Sequence, residues 1–328
     1  MKTARIAIAA AALTCATPAL CADDFSVDRG WELGGRYWWS TGKTQWSHNA
    51  QSAGAFYGNP TSVLTYDRLN ASSIELYGAK RWRPGFFLTG NVGIGRISGG
   101  MLNDQDFSAG QVKFSETNSS IKEGTLGYLT IDGGFDFVRR YRTSLGVFGG
   151  FNYWNEKVEA FGSTSVVPPG APAIPNGTKV ITNEMNWYSF RVGLAGRVQV
   201  GDSLNLSGTI AAVPVAVLRN DDSHHLRTDL GSTPNITMDG TGYGVQLDGE
   251  ARFNLFKHTD IGLGARYWRL KATGDIHFAG GPALELKEFQ STRYGVTATC
   301  RASFGLYNTR DEVDSLARAL AKAQEIFA

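Results

Sequence analysis

Residues 220–225 read NDDSHH and follow the apolar run VPVAVLR, so two aspartates and two of the chain's five histidines share six positions. An earlier stretch, LNDQDF, holds Asp104 and Asp106 two residues apart. On an extended backbone, side chains at i and i+2 point the same way. Two carboxylates on one face and an Asp-x-His on a second segment are the groups needed to hold and deprotonate a water. His224 would be the general base, Asp222 would fix its tautomer, and Asp104 with Asp106 would position the water and share a proton. A base so placed contributes on the order of 10²–10⁴ in rate. Taken alone, each acidic segment is more often a hydrated rim or a calcium-binding edge, and spacing does not show that the two meet.

Whether they meet depends on the elements that carry them. From Gly30 onward the apolar pattern has period two. In FFLTGNVGIG, Phe86, Leu88, Val92 and Ile94 share a face opposite Thr89, Asn91 and Gly93. In LTIDGGFDF, Leu129, Ile131, Phe135 and Phe137 oppose Thr130, Asp132 and Asp136. In RYGVTATCRASF, Tyr294, Val296, Ala298 and Cys300 oppose Arg293, Thr297, Thr299 and Arg301. Ten such segments, each with an apolar face, need a covering layer, and no helical pattern lies between them. Lipid is the other solvent that accepts an apolar face, and only a closed barrel satisfies every strand's backbone there. The expected fold is therefore all-β, a ten-stranded antiparallel transmembrane β-barrel in the bacterial outer membrane.

Aromatic residues cluster near the segment ends, at Trp31, Tyr37, Trp38, Trp39, Trp82, Tyr153, Trp154, Trp187, Tyr188, Tyr267 and Trp268, where interface girdles are expected. RWRPG, VRRYR, QVGDS and FKHT read as tight periplasmic turns. Residues 44–70, 96–123, 162–185, 219–241 and 273–288 read as long extracellular loops. Both acidic segments then stand on the same rim. A diffusion porin fits less well, because ten strands enclose a bore that side chains fill.

The ends of the chain read differently. Residues 1–22 have two early positive charges, an apolar run and LCA before Asp23, the pattern of a cleaved secretory signal. The barrel is assigned to 23–305. Within 306–328, Val313, Leu316, Leu320 and Ile326 share one helical face, the pattern of a short periplasmic helix. Cys15 and Cys21 leave with the signal, so Cys300 has no disulfide partner and no cysteine metal site is expected. A net charge of +2 gives no basic stripe for nucleic acid. HExxH and GxSxG do not occur, so neither zinc nor serine hydrolysis is expected, nor is a cofactor.

From about Gly30 to Phe304 the chain resembles the omptins, ten-stranded outer-membrane endopeptidases. The likeness is carried by the strand count, by Gly42-Lys43-Thr44, by Asp-Gln-Asp plus an aromatic at 104–107, and by the Asp-x-His at 222–224. Phe107 stands where the family has tryptophan. The resemblance implies that Asp104, Asp106, Asp222 and His224 are catalytic, with a water nucleophile and neither a covalent intermediate nor a metal. It also implies two acids lining a pocket for a basic residue; at those positions this chain has Trp46 and Asn220. Losing both carboxylates removes the contacts that select a guanidinium. The family's lipopolysaccharide pattern Tyr-x-Glu-x-Arg is replaced by Phe151, Tyr153 and Asn155. The implied partners are outer-membrane lipid, with lipopolysaccharide the candidate, and a peptide or protein at the cell surface. The function expected is an omptin-like endopeptidase of non-basic specificity. The alternative is a non-catalytic barrel that uses the same rim for adhesion or ligand binding.

Overall fold

The computed structural model describes residues 31–304, except positions 55, 83, 257–258 and 279–280, together with Asp314 and Arg318. Ten strands run in chain order: β1 (Trp31–Asn49), β2 (Tyr57–Arg81), β3 (Phe86–Ser108), β4 (Val112–Arg140), β5 (Thr143–Val167), β6 (Ile174–Val200), β7 (Leu204–His224), β8 (Ile236–Phe256), β9 (Thr259–Phe278) and β10 (Ala283–Phe304). Each pairs antiparallel with its chain neighbours, and β10 closes on β1 from Trp31↔Phe304 to Asn49↔Glu285. Closure leaves no edge strand among the described residues. The expected signal at 1–22, the expected helix at 306–328 and His258 lie outside the described residues, apart from Asp314 and Arg318, which are helical.

Near the short turns the barrel is inside-out. Leu76 (69% exposed), Ile94 (63%), Ile210 (65%) and Leu263 (69%) face outward, while Glu32, Glu75, Asp132, Arg191, Arg252 and Asp260 are buried in the bore. Apolar area facing water costs about 25 cal/mol per Å², so a continuous outward apolar band is stable only against lipid. Inside, Arg36 meets Glu75 at 2.9 Å, and Arg266 meets Glu75 and Asp248 at 2.5 Å each. These pairs surround a cavity of about 210 Å³ in the lower bore. Trp38, Tyr128, Trp154 and Trp268 roof it, with ring centroids 4.9–5.9 Å apart. Four of the expected girdle tryptophans, Trp38, Trp154, Trp187 and Trp268, are thus buried inside the barrel, whereas Trp31, Trp39, Trp82 and Tyr188 are exposed.

The expected long loops are for the most part strand. β4 has 29 residues and β6 has 27, against the 9–11 or so that cross a bilayer. The barrel therefore stands well above the apolar band, and Trp46, Asp104, Asp106, Asn220, Asp222 and His224 are all strand residues. Above the band the pattern reverses, with Leu64, Tyr66, Leu102, Met185, Leu218 and Met238 facing in.

On three strands a local irregularity also changes which residues face in. On β7, Ala211 and Val213 face in, then Pro214 and Val215 both face out, and Ala216, Leu218, Asn220 and Asp222 face in. The register to β8 shifts between Val213 and Ala216. Proline cannot donate to the ladder, so it belongs at such a bulge. On β2 the change falls at Arg68, whose φ is 52°. On β3 it falls between Ile97 and Leu102, across Gly99 and Gly100.

Candidate active site

Period two places Leu102, Asp104 and Asp106 on the inner face of β3 and sends Asn103 and Gln105 outward. The outward amides lock this parity. Asn103 donates to Glu116 Oε1 and Asn118 Oδ1 of β4, both at 2.9 Å, and Gln105 donates to Asn103 Oδ1 at 2.7 Å. On β7 the bulge at Pro214 brings Asp222 inward and leaves Asp221 exposed. Asp222 pairs in register with Asn183 of β6 and Ile236 of β8.

Asp222 is fully buried, and its Oδ1 lies 3.5 Å from His224 Nε2. Its Oδ2 accepts from the Tyr66 hydroxyl at 3.1 Å and from Asn183 Nδ2 at 3.2 Å. Asn235 fixes the His224 backbone from both sides: its Oδ1 accepts from His224 N at 2.9 Å, and its Nδ2 donates to His224 O at 3.1 Å. The dyad is therefore held by side chains from β2, β6 and the β7–β8 connection. Tyr66, Asn183 and Asn235 were not singled out by sequence pattern; Tyr66, in VLTYDRL, looks like any strand tyrosine.

Asp104 acts electrostatically on Asp106, on Asp222 and on Tyr66, so the bore brings the two acidic segments into one field. Burial, and then the charges of Asp106 and Asp222, hold the Asp104 carboxyl well above the usual carboxylate range, with Arg227 opposing. Burial also raises Asp222, against the opposing effects of His224, Tyr66 and Asn183. Tyr66 is pushed well above an ordinary phenol by burial and by Asp222. Buried carboxylates that share one field resist ionising together. Asp104 Oδ1, Asp222 Oδ1 and His224 Nε2 are buried without a hydrogen-bond partner of ordinary geometry. Such atoms are costly in a core and recur where chemistry is done.

Two other expected positions are brought into the same bore. Trp46 is buried, with its indole N–H beside Tyr66 and Asp222 but without a hydrogen bond of ordinary geometry. Asn220 is buried one inward step below Asp222 and points Nδ2 at Met238 Sδ, 3.7 Å away. His48, inward on β1, is also buried, and burial holds its pKa down to about 4. His225 faces outward, with Nε2 2.8 Å from Thr182 Oγ1, and His277 is exposed. Gly42 leaves room for Arg293, since a Cβ there would meet the guanidinium at 2.7 Å. Tyr153 and Asn155 face outward and meet Asn186, at 2.8 and 3.0 Å.

No family model matches the chain. The crystal structure of the outer-membrane protease OmpT from Escherichia coli superposes with a TM-score of 0.69 at 15% identity, over 86% of this chain and 99% of that one. The protein is a bacterial outer-membrane β-barrel. At that identity the likeness shows the fold, and the chemistry has to be read from this chain's own residues. The translocator domain of the autotransporter NalP from Neisseria meningitidis is 11% identical over 85% of this chain and 90% of that one, with a TM-score of 0.38. Cysteine desulfurases of Escherichia coli O139:H28 (strain E24377A / ETEC) and Serratia proteamaculans (strain 568) are 29% and 27% identical over 135 residues, 40% of this chain and 30% of theirs. The chain spans under a third of the length of these curated relatives, and the match brings neither family nor activity with it.

Proposed function

We propose that this outer-membrane barrel is an endopeptidase of the omptin kind, hydrolysing surface-exposed peptides with a water activated by Asp222–His224 and the Asp104/Asp106 pair. The observation that carries the reading is the 3.5 Å approach of Asp222 Oδ1 to His224 Nε2 within the field of Asp104. Nε2 turned to Asp222 leaves Nδ1 to take the proton of a water held between His224 and the Asp pair. The water oxygen adds to the peptide carbonyl carbon, and Asp222 stabilises the imidazolium that forms. That proton then passes to the leaving nitrogen as the C–N bond breaks. No metal or covalent intermediate is required.

The specificity is non-basic, because Trp46 and Asn220 supply no carboxylate to pair with a guanidinium. Outer-membrane lipid is the partner of the apolar band, with lipopolysaccharide the candidate, although Phe151, Tyr153 and Asn155 replace the residues of a dedicated motif. The test is to refold the barrel in lipopolysaccharide-containing micelles and present a mixed peptide library. Cleavage by the parent, lost in His224→Ala and Asp104→Asn, is the expected result. A parent that binds peptides and cleaves none would instead be the non-catalytic adhesion or ligand-binding barrel.

A further inference from the structure

Directly beneath the acids the bore is filled with neutral side chains. One inward step deeper on the site's own strands, Leu102 lies below Asp104, Asn220 below Asp222 and Met185 below Asn183. Met185, Asn220 and Met238 form one register row across β6, β7 and β8. Each of these four residues is 1% exposed. Trp46, also 1% exposed, shares the register row Trp46↔Leu64↔Asp104 on β1, β2 and β3. Its indole N–H lies beside Tyr66 and Asp222 without a hydrogen bond of ordinary geometry, so the buried ring fills the bore at the level of Asp104. No free carboxylate underlies this layer among the described residues: Glu156, the inward acid below, is held by Arg293 at 2.7 Å.

We infer that the subsite for the side chain next to the scissile bond is shallow and uncharged, floored by the Trp46 indole, and takes glycine, alanine or serine. The inference rests on the proposed endopeptidase activity and names its substrate class. A lysine or arginine entering here would bury its charge unpaired, which is strongly unfavourable. A leucine or phenylalanine would have to displace a fully buried indole, and overpacking a filled layer is itself unfavourable. The methionines at 185 and 238 adapt to small changes of shape, but they supply neither depth nor charge. A residue with little or no side chain needs neither.

The test is cleavage profiling on a peptide library randomised at the residue before the scissile bond, with the parent, Trp46→Ala and Met185→Ala in lipopolysaccharide micelles. The parent is expected to favour glycine, alanine and serine over lysine, arginine, leucine and phenylalanine by at least roughly 10-fold, the scale that a pocket of fixed size can impose. Removing the indole opens room for a larger side chain at the same place. Trp46→Ala is therefore expected to raise relative cleavage after leucine and phenylalanine by roughly 10-fold or more. Met185 touches Thr44 and Ser291 rather than the acids, with Sδ 3.8 and 3.2 Å from their hydroxyls. Met185→Ala should shift preference the same way by less, and it carries the test should Trp46→Ala fail to assemble. A parent that cleaves best after basic or large residues overturns the inference, as do variants that retain the small-residue preference. A parent that cleaves nothing removes the proposed function itself, a different outcome from cleavage with the wrong preference.

Discussion

The Tyr66 hydroxyl on β2 donates to Asp222 Oδ2 on β7 across the bore at 3.1 Å. It ties the dyad to the wall that also carries the Asp pair, since β2 is paired with β3 at Leu64↔Asp104. With Oδ2 taken by Tyr66 and Asn183, only Oδ1 is left to face His224. Tyr66 thus fixes the orientation of the Asp222 carboxyl, and under the proposed function it is a positioning residue.

Tyr66→Phe removes one oxygen and leaves the ring in place. A hydrogen bond to a charged group is worth about 1.5–3 kcal/mol, so kcat should fall by roughly 10- to 100-fold with little change in KM. The acid limb of the pH profile should move to higher pH, because Asp222 with one donor fewer takes its proton more readily. A purely structural tyrosine would lower the yield of folded barrel and leave both kcat and the limb where they were.

Asp104→Asn gives a prediction of opposite sign for stability. The Asp104 carboxyl is raised by burial and by Asp106 and Asp222, so its ionised form opposes folding. For a group raised in the folded state, stability is fully present below the ordinary aspartate value of about 3.9 and is lost as pH rises through the raised one. The variant should outlast the parent against heat at pH 8, with an advantage that shrinks toward pH 4. Heat-dependent gel migration of the folded barrel reads this directly. An advantage independent of pH would mean that amide packing, not charge, is responsible.

The strand alternation, the tight turns and the two acidic motifs were legible in the sequence because period two is a local signal. Asp104 and Asp106, two apart, fall on one strand. What was not legible arises where the solvent changes. Above the apolar band the outer face meets water, so β4 and β6 carry polar outward residues such as Asn118 and Asn186 and read as loops. The inner face, now apolar, keeps the strands going. The parity changes at Arg68, at Gly99–Gly100 and at Pro214 cannot be read from alternation alone, since each resets it. Trp38, Trp154, Trp187 and Trp268 keep the inward parity of the polar bore residues below them, such as Glu32, Ser144, Arg191 and Asp260, so their burial shows only once it is known which face of each strand is the inner one. Tyr66 and Asn183 become site residues only through the closure that brings β2, β6 and β7 around one axis.

The reset on β7 decides which aspartate serves the site. If the alternation of Ala211 and Val213 continued, Asp221 and Ser223 would face in and Asp222 would face out. Single cysteines placed along 211–224, with the exposed Cys300 changed to serine, will report the pattern through a bulky water-soluble thiol reagent above the band and a lipid-phase one within it. Labelling should alternate, show two successive outward positions at 214 and 215, and then resume with Asp221→Cys labelled and Asp222→Cys protected. Unbroken alternation through 214–215 would contradict the bulge and with it the placement of the dyad.

Below the substrate floor, Arg293 is the residue whose loss should be felt most. Its Nη2 donates to Glu156 Oε2 at 2.7 Å, and its Nη1 donates to Leu69 O at 3.0 Å and Ser40 Oγ at 3.1 Å. Both charged partners are nearly inaccessible, with side chains 1% and 4% exposed. Breaking a buried pair by removing one partner leaves the other charge uncompensated, at a cost of about 3–5 kcal/mol, whereas replacing both is often close to neutral. Arg293→Met alone should therefore lower the melting temperature of the refolded barrel sharply, and Arg293→Met with Glu156→Leu should recover most of the loss. Gly42→Ala should resemble the single variant, since its Cβ would press on the guanidinium at 2.7 Å. If the double variant proves no more stable than the single one, the deficit comes from the lost hydrogen bonds to Leu69 and Ser40 rather than from a stranded charge, and the pair is not what holds the floor of the site in place.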